Sequence, residues 1–378
     1  MKRILVILNG WTTPMAGGDY HALKVAQQWS QTDRLTYLLP RLGYSYVTKA
    51  GLLAGNAVVI DSFLERETSS IVRIVLLYCV RVLKLMFSPP RGKYDVLVAA
   101  NHFLTDVLPA VYLKSRNSPC RLVAYYHGLP VDESSPSWLL PRKINDAISV
   151  SLLRRFFDVV FAINQPVKDF LISRGVEAQK IRITHNGIDS IPSEMTEMTA
   201  KGPVFDACFV GRLVKSKGVS DLIRIWKGVC AVYPDAKLAI VGDGVEKNRL
   251  VKLIKNEGLD ERITLCGYLQ QERFAVMLRS KLFLLPSYAE AWPLVIVEAM
   301  SCGLPVIVYD LAALRNVWGN DIVYVPKGNE ALFTKTIVSM LDDPELRSTL
   351  SQNGSRRSRD YLWGSIAQSE LDSIASLS

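Results

Sequence analysis

Residues 287–305 read Ser-Tyr-Ala-Glu-Ala-Trp-Pro-Leu-Val-Ile-Val-Glu-Ala-Met-Ser-Cys-Gly-Leu-Pro, and Val-Ile-Val follows directly. The apolar run after Pro293 predicts a short helix, and the run at 304–308 predicts a buried strand. Proline suits the first position of a helix because the N–H that it lacks would be unpaired there. The amides that follow are then free to bind an anion such as a diphosphate.

Two carboxylates stand eight positions apart across the start of this helix, Glu290 in the loop and Glu298 about a turn and a half into the helix. A carboxylate accepts hydrogen bonds from hydroxyl groups, so Glu298 can hold two ribose hydroxyls while Glu290 faces a sugar. The spacing therefore indicates a nucleotide-sugar site. The simpler interpretation is a solvated loop glutamate and a glutamate on a helix face.

Strands and helices alternate outward from this stretch. In the second half, short apolar runs predict strands at 205–210, 237–241, 262–266, 282–285 and 305–308, and longer amphipathic runs predict helices at 218–232, 246–256, 271–279 and 293–302. The first half repeats the pattern with strands near 3–8, 95–100, 121–126 and 158–163 and helices near 18–31, 105–116 and 166–174. Such alternation predicts an α/β protein with parallel sheets wrapped by helices.

A composition break separates the two halves. Residues 190–203 lack periodicity and are bracketed by prolines, which is typical of a linker. We therefore expect a first domain at 1–190, a linker at 191–203 and a second domain at 204–354. A chain of 378 residues is comfortable for two domains with a cleft between them.

Composition limits the classes of partner. The net charge of +9 favours anionic partners, which include phosphorylated small molecules, nucleic acid and an acidic membrane face. The sequence shows no aromatic and basic platform or recognition helix, so we expect no nucleic-acid binding. Six cysteines without a CxxC pair favour a reducing, cytoplasmic setting, and four scattered histidines predict no metal site. The apolar run at 4–8 is too short for a signal peptide and predicts a first strand.

Two strand-to-helix turns of the second half indicate phosphate chemistry. The first runs from Gly211 to Gly218 and carries three cations, among which Arg212 can grip phosphate oxygens bidentately. The second is Val-Gly-Asp-Gly at 241–244, which we interpret chiefly as a tight turn. A dinucleotide motif would need a third glycine where Lys247 stands, so we exclude a nicotinamide cofactor.

Together these motifs resemble the family 4 glycosyltransferases, which adopt the GT-B fold of two Rossmann-like domains. The second half carries Gly-Arg-Leu-x-x-x-Lys-Gly, Val-Gly-Asp-Gly, Gly-Tyr-Leu, Pro-Ser and Glu-x7-Glu followed by Ala-Met-x-x-Gly-x-Pro-Val, at 211–218, 241–244, 267–269, 286–287 and 290–306. The first half is similar more loosely, through Gly-Gly at 17–18, His-Gly at 127–128 and Asn-Gly-Ile-Asp at 186–189. The end of the chain, about 355–378, resembles the helix that packs back on the first domain.

The resemblance implies transfer of a sugar from a nucleoside-diphosphate sugar to a glycan or lipid-linked acceptor, with retention of configuration and without a required metal or other cofactor. It implies that Arg212 and Lys217 neutralise the leaving diphosphate, that Glu298 binds the ribose, and that Glu290 and His127 lie near the donor sugar. Further donor contacts are expected at Gly17, Gly18, Gly211, Gly267, Tyr268, Leu269, Leu294 and Val295. The commoner family form has glycines where Ala291 and Pro293 stand, so the backbone here departs from the family pattern.

Several alternatives stay open. His102 and Asp106 end another predicted strand, and we expect them on the acceptor side. Glu290 is either a nucleophile or an orienting group. A sugar-nucleotide epimerase has the same architecture, and a non-catalytic nucleotide-sugar-binding subunit is the alternative from another class. The presence of Glu290, Arg212, Lys217 and His127 together argues against the binding subunit.

Residues 66–87 form an apolar segment that carries four cations, Arg66, Arg73, Arg81 and Lys84. On a helix they fall within an arc of about 80 degrees. Such a helix either lies on an anionic membrane surface, as a peripheral attachment, or packs on the first domain with a solvated basic edge. Its apolar length is too short for a transmembrane span.

Overall fold

The computed structural model describes residues 1–10, 17–61, 71–116, 119–127, 140–196, 202, 204–290 and 292–376. The chain folds as two compact units. Unit 1 comprises Met1–Gly187 and Trp363–Ser378, and unit 2 comprises Ile188–Leu362.

Unit 1 is built on a seven-stranded sheet of order β3-β2-β1-β4-β5-β6-β7 in which every neighbouring pair is parallel. Its strands are β1 (Arg3–Ile7), β2 (Arg34–Pro40), β3 (Asn56–Ile60), β4 (Val96–Ala99), β5 (Arg121–Tyr126), β6 (Val159–Ala162) and β7 (Ile181–Ile183). Its helices are α1 (Gly17–Trp29), α2 (Arg41–Lys49), α3 (Ile71–Phe87), α4 (Leu104–Arg116), α5 (Leu140–Phe156), α6 (Gln165–Ser173) and the closing helix α15 (Trp363–Ala375).

Unit 2 is built on a six-stranded parallel sheet of order β10-β9-β8-β11-β12-β13. Its strands are β8 (Ala207–Val210), β9 (Leu238–Val241), β10 (Ile263–Gly267), β11 (Phe283–Leu285), β12 (Val306–Tyr309) and β13 (Val323–Val325). Its helices are α7 (Ser193–Thr196), α8 (Val219–Val232), α9 (Lys247–Asn256), α10 (Arg273–Leu278), α11 (Leu294–Ser301), α12 (Ala312–Trp318), α13 (Glu330–Asp342) and α14 (Pro344–Ser358).

The continuous apolar runs of the strands are explained by helices on both faces of each sheet. In β1, Ile4 and Val6 belong to one core cluster of unit 1, and Leu5 and Ile7 belong to the other. Successive side chains of a strand point to opposite faces, so a strand that is covered on both sides needs apolar residues at every position. The prediction of an α/β protein with two doubly wound sheets is confirmed.

Some strands were not predicted from the sequence. Strand β2 ends at Pro40 and runs directly into α2 at Arg41, so no turn residues mark its end. Strand β3 lies at the edge of the sheet and is partly exposed, so it lacks a continuous apolar run. Both strands were recognisable only from their pairing with β1 and with each other.

The closing helix of unit 1 is shorter than the resemblance implied. Helix α14 continues to Ser358 within unit 2, and the chain enters unit 1 at Trp363 rather than near residue 355. Tyr361 and Trp363 are both 3% exposed, one in the core of unit 2 and the other in the core of unit 1. Both aromatic side chains therefore pack in a core, each in a different unit.

The prediction of a basic stripe along residues 66–87 is wrong in one respect. Helix α3 begins at Ile71, and Arg66 lies outside the described residues. Arg81 is fully buried, and its Nη1 donates to the carbonyl oxygen of Asn9 at 3.0 Å. Arg81 therefore faces the core, whereas Arg73 and Lys84 stay exposed beside the large apolar side chains of α3. No helix within the described ranges combines the length and apolarity needed to cross a bilayer.

Candidate functional site

Three strand-to-helix turns of unit 2 pack together at the carboxyl edge of its sheet. The amide of Gly211 donates to Val241 at 3.0 Å, and the amide of Gly242 donates to the carbonyl oxygen of Gly267 at 2.7 Å. Gly242 has a φ of 145°, and a Cβ there would lie 1.9 Å from the carbonyl oxygen of Gly211. Only glycine allows this backbone approach, so the Gly-x-Gly turn assembles the neighbouring turns.

A cavity of about 440 Å³ lies among these turns and the start of α11. This volume is within the range of small-molecule sites. The cavity joins seven of the predicted donor residues, namely Gly211, Arg212, Tyr268, Leu269, Leu294, Val295 and Glu298. Gly267 supports it through its hydrogen bond to Gly242. Asp243 and Arg273 also line it and were not predicted.

The start of α11 gives the cavity a positive end. Pro293 precedes the helix with a φ of −80° and a ψ of 98°, so the helix begins at Leu294 rather than at the proline. No side chain caps this helix, and both Leu294 and Val295 line the cavity. The amides and the dipole of a helix start attract anions.

Arg212 adds a full positive charge to the same wall. Its side chain is exposed, and no acidic partner is found for it in the part of the chain that the structure describes. A guanidinium group in this position is available to bind phosphate oxygens bidentately.

Glu298 is held by an arginine that the sequence analysis missed. Arg273 Nε donates to Glu298 Oε2 at 2.9 Å, and Arg273 Nη2 donates to Glu298 Oε1 at 2.7 Å. The side chain of Glu298 is only 10% exposed. Each carboxylate oxygen has two lone pairs and keeps room for a further hydrogen bond. The two partners are 25 positions apart, and no local sequence pattern joins them, so only the fold reveals this pair.

Lys217 and Glu290 form an ion pair beside the cavity without lining it. Lys217 Nζ lies 2.5 Å from Glu290 Oε1, and the glutamate side chain is 6% exposed. Their loops are packed closely, since a Cβ on Gly218 would lie 1.8 Å from the carbonyl oxygen of Pro286. The structure therefore brings these two predicted residues together, and their roles stay predictions.

In unit 1, the predicted glycine turn lies against the predicted histidine. Gly17 begins α1, and a Cβ on Gly18 would lie 2.8 Å from His127 Cδ2 and 2.7 Å from Asn101 Oδ1. Burial lowers the pKa of His127 well below its usual range, and the nearby His21 adds to this effect. The imidazole is therefore neutral at neutral pH. Its Nε2 is buried, and no hydrogen-bond partner is found for it among the described residues.

The structure places His102 and Asp106 in the interior of unit 1, and their acceptor-side role stays a prediction. Both side chains are fully buried. Asp106 Oδ1 accepts a hydrogen bond from the amide of Asn9 at 2.8 Å, and the His102 ring stacks on Tyr126 with 3.9 Å between centroids. These buried side chains pack beneath the turns at the carboxyl edge of the unit 1 sheet, and Asp106 binds the turn after β1 directly.

A buried carboxylate that the sequence analysis did not single out joins α15 to the rest of unit 1 through hydrogen bonds. Glu370 is 2% exposed, and its Oε1 lies 3.1 Å from His21 Nε2. Tyr125 donates its hydroxyl to Glu370 Oε2 at 2.5 Å, and the Thr184 hydroxyl also donates to this carboxylate. Such a network is stable only while each member is satisfied.

Two family models match the chain. One is described as Glycosyl transferases group 1 and matches residues 194–357, and the other is described as Glycosyltransferase Family 4 and matches residues 54–190. The chain belongs to glycosyltransferase family 4.

Relatives in this family differ in their substrates. The N-acetylgalactosamine-N,N'-diacetylbacillosaminyl-diphospho-undecaprenol 4-alpha-N-acetylgalactosaminyltransferase of Campylobacter jejuni is 28% identical over 54% of this chain and 56% of its own length. The phosphatidyl-myo-inositol mannosyltransferase of Mycobacterium leprae is 32% identical over 42% of this chain and 43% of its own length. The alpha-monoglucosyldiacylglycerol synthase of Acholeplasma laidlawii is 24% identical over 55% of this chain and 52% of its own length. The chain thus spans about half the length of these relatives.

Solved structures share the fold along the entire chain. The structure of Anabaena HepE in complex with UDP matches this chain with a TM-score of 0.70 at 20% identity. The match covers 100% of this chain and 100% of HepE. Sucrose-phosphate synthase from Thermosynechococcus elongatus has a TM-score of 0.68 at 18% identity, covered over 100% of this chain and 99% of its own. The predicted GT-B fold is confirmed.

Proposed function

We propose that this chain transfers a sugar from a nucleoside-diphosphate sugar to a lipid-linked or glycan acceptor, with retention of configuration. The observation that carries the proposal is the cavity of unit 2, where Arg212, the start of α11 and Glu298 meet. The cation and the helix start on one side suit the diphosphate group of a nucleoside diphosphate. The carboxylate on the other side suits its ribose hydroxyls.

The diphosphate is the leaving group of such a transfer. Breaking the glycosyl–phosphate bond places negative charge on the diphosphate and positive charge on the anomeric carbon. Fixed positive charge at the phosphates therefore lowers the barrier, most strongly when it is already in place before the reaction. Arg212 and the helix start supply this charge, and Lys217 supplies more once diphosphate competes with Glu290 for its ammonium group.

The ribose is the ligand of Glu298 in this proposal. Arg273 holds both carboxylate oxygens in place, and each oxygen can accept a second hydrogen bond from one of two adjacent hydroxyls. The binding of UDP by HepE supports a nucleotide donor for this fold.

The names of several relatives support a lipid-linked acceptor. Undecaprenol diphosphate, phosphatidyl-myo-inositol and diacylglycerol appear in the names of the Campylobacter, Mycobacterium and Acholeplasma enzymes. We assign the acceptor to unit 1, where Gly18 and His127 lie together at the carboxyl edge of the sheet. Ligands of doubly wound folds bind at that edge.

A ligand panel tests the donor. We expect one of UDP, GDP, ADP and TDP, and its sugar conjugates, to raise the melting temperature selectively. The variant Arg212→Ala is expected to lose this shift, and Lys215→Ala, an exposed cation of the same turn that does not line the cavity, is expected to keep it. Equal shifts for the two variants, or none with any nucleotide, would contradict the proposal.

Turnover distinguishes the reaction classes. With the preferred donor, a transferase releases nucleoside diphosphate as it passes the sugar to an acceptor hydroxyl or to water. An epimerase converts the donor without releasing it, and a binding subunit does neither. We expect release to continue in EDTA, because the protein's own cations neutralise the diphosphate. The anomeric configuration of the product, read by proton NMR, tests retention.

A further inference from the structure

An apolar groove of about 700 Å³ lies on unit 1 between α3, α4 and α5. Helix α3 forms one wall with Val75, Cys79 and Leu83, and the opposite side is formed by the start of α4 with Leu108 and by Ile144 of α5. This groove was not anticipated, because its three walls come from segments far apart in the sequence.

The walls of this groove hold large apolar side chains in contact with water. Val75 is 50% exposed, Leu83 is 52% exposed and Ile144 is 51% exposed. Clustered apolar exposure of this kind marks a binding surface more often than chance. A helix of 17 residues is about 25 Å long, so α3 offers an extended trough.

The chemistry of the walls favours a hydrocarbon chain over a peptide. A bound peptide brings backbone amides and carbonyls that lose free energy when they are buried without partners. The lining offers few such partners, because nine of its thirteen described residues are Ile, Val, Leu, Phe or Cys. A hydrocarbon chain needs none.

The cations at the groove indicate that the ligand carries an anionic group at one end of its hydrocarbon chain. Among the described lining residues Arg142 is the one charged side chain, and it stands near the polar Asn145. On α3, Arg73 and Lys84 are exposed beside the apolar face. Cations beside an apolar trough complement an anionic headgroup that is joined to a hydrocarbon chain.

The groove is continuous with the carboxyl edge of the unit 1 sheet. Tyr78, which lines it, donates its hydroxyl to the carbonyl oxygen of Gly10 at 2.8 Å, directly after β1. Thr105, which also lines it, accepts a hydrogen bond from the Asn9 side chain at 3.3 Å. A chain in the groove would therefore hold its headgroup near the edge to which the acceptor is assigned.

We propose that this groove binds the single hydrocarbon chain of an anionic, lipid-linked acceptor and so selects acceptors by chain length. The inference rests on the proposed function for its biological meaning, whereas the binding of a chain can be measured without turnover. It gives the apolar face of α3 a defined ligand, and attachment of this helix to a membrane surface stays a separate prediction.

Displacement of the fluorophore N-phenyl-1-naphthylamine by monomeric octyl, dodecyl and hexadecyl phosphate tests the groove. We expect affinity to rise about threefold to fourfold per added methylene until the trough is full, and to level off thereafter. A matched pair of variants is available on α3, because Leu83 and Leu76 are each 52% exposed and only Leu83 lines the groove. Leu83→Asp should lower the affinity for dodecyl phosphate at least about tenfold, and Leu76→Asp should lower it by less than about twofold.

Two further measurements keep the test independent of folding. Hexadecyl phosphate should slow the alkylation of the exposed Cys79 by iodoacetamide, as followed by mass spectrometry. The variant Cys79→Trp fills part of the groove, so affinity should level off at a shorter hydrocarbon chain. Octyl phosphate should still bind to this variant. Equal losses in the two leucine variants, or affinity independent of chain length, would overturn the proposal. Nucleotide-induced thermal shifts in the same variants report on the proposed function separately, because the donor cavity lies in unit 2.

Discussion

Replacing Arg273 with alanine tests whether Glu298 is a ribose ligand that needs an orienting cation. The two hydrogen bonds between these side chains are charge-assisted, at 2.9 and 2.7 Å, and their side chains are 24% and 10% exposed. Bonds of this type contribute about 1.5–3 kcal/mol each when buried, and partial exposure lowers that value. Without Arg273, a nearly buried carboxylate is left free to turn away from the cavity.

The expected loss in nucleotide affinity is about 1–2 kcal/mol, which is about fivefold to thirtyfold in Kd. Part of the destabilisation falls on the protein itself, so affinity is measured at a temperature where circular dichroism shows the variant to be folded. Isothermal titration compares the tightest of UDP, GDP and ADP with its 2′-deoxy counterpart. The wild type should prefer the ribonucleotide about tenfold, since one hydrogen bond to a charged acceptor is lost in the deoxy form.

The preference for ribose is the decisive readout. It should fall toward one in Arg273→Ala and in Glu298→Gln, because both variants remove an oriented carboxylate. Arg315→Ala is the matched control, because Arg315 makes an equivalent two-bond pair with Asp310 at 2.6 and 2.7 Å that does not line the cavity. An unchanged ribose preference in Arg273→Ala, or no preference in the wild type, would refute the assignment of Glu298.

Three further predictions concern catalysis, stability and pH. Arg212→Ala should lower kcat by about a hundredfold or more in a nucleotide-release assay, because an electrostatic contact to the leaving group is lost; a loss confined to KM would contradict this. Glu370→Ala should lower the free energy of unfolding by about 3–5 kcal/mol in urea titrations, whereas the exposed Asp372→Ala should change it by less than about 0.5 kcal/mol; equal effects would exclude a structural role for the network. Burial, with Asp19 nearby, raises the pKa of Asp106 well above its usual range, so the folded state keeps a proton that the unfolded chain releases above about pH 4. The wild type should therefore lose stability relative to Asp106→Asn as the pH rises from about 4 to 7, and a constant difference between the two would show that Asp106 is ionised in the fold.

The sequence alone predicted those features that depend on short spacings. The turn from Gly211 to Gly218, the start of α11 and the position of Glu298 each lie within one strand–turn–helix segment, and the cavity of unit 2 joins residues from all three. Residue type and local order suffice for such features, because a glycine turn or a helix start is formed by neighbours in the chain.

The tertiary structure alone decided which side chains meet and which are buried. Arg273 pairs with Glu298 across 25 positions, and Glu370 reaches His21 across 349. Arg81 has the helical spacing of a surface cation and is nevertheless fully buried, since it donates to the carbonyl oxygen of Asn9. Periodicity fixes which residues share a helix face, but the neighbours that cover that face are set by the order of the strands. The apolar groove of unit 1 therefore became visible only when α3, α4 and α5 were placed beside one another.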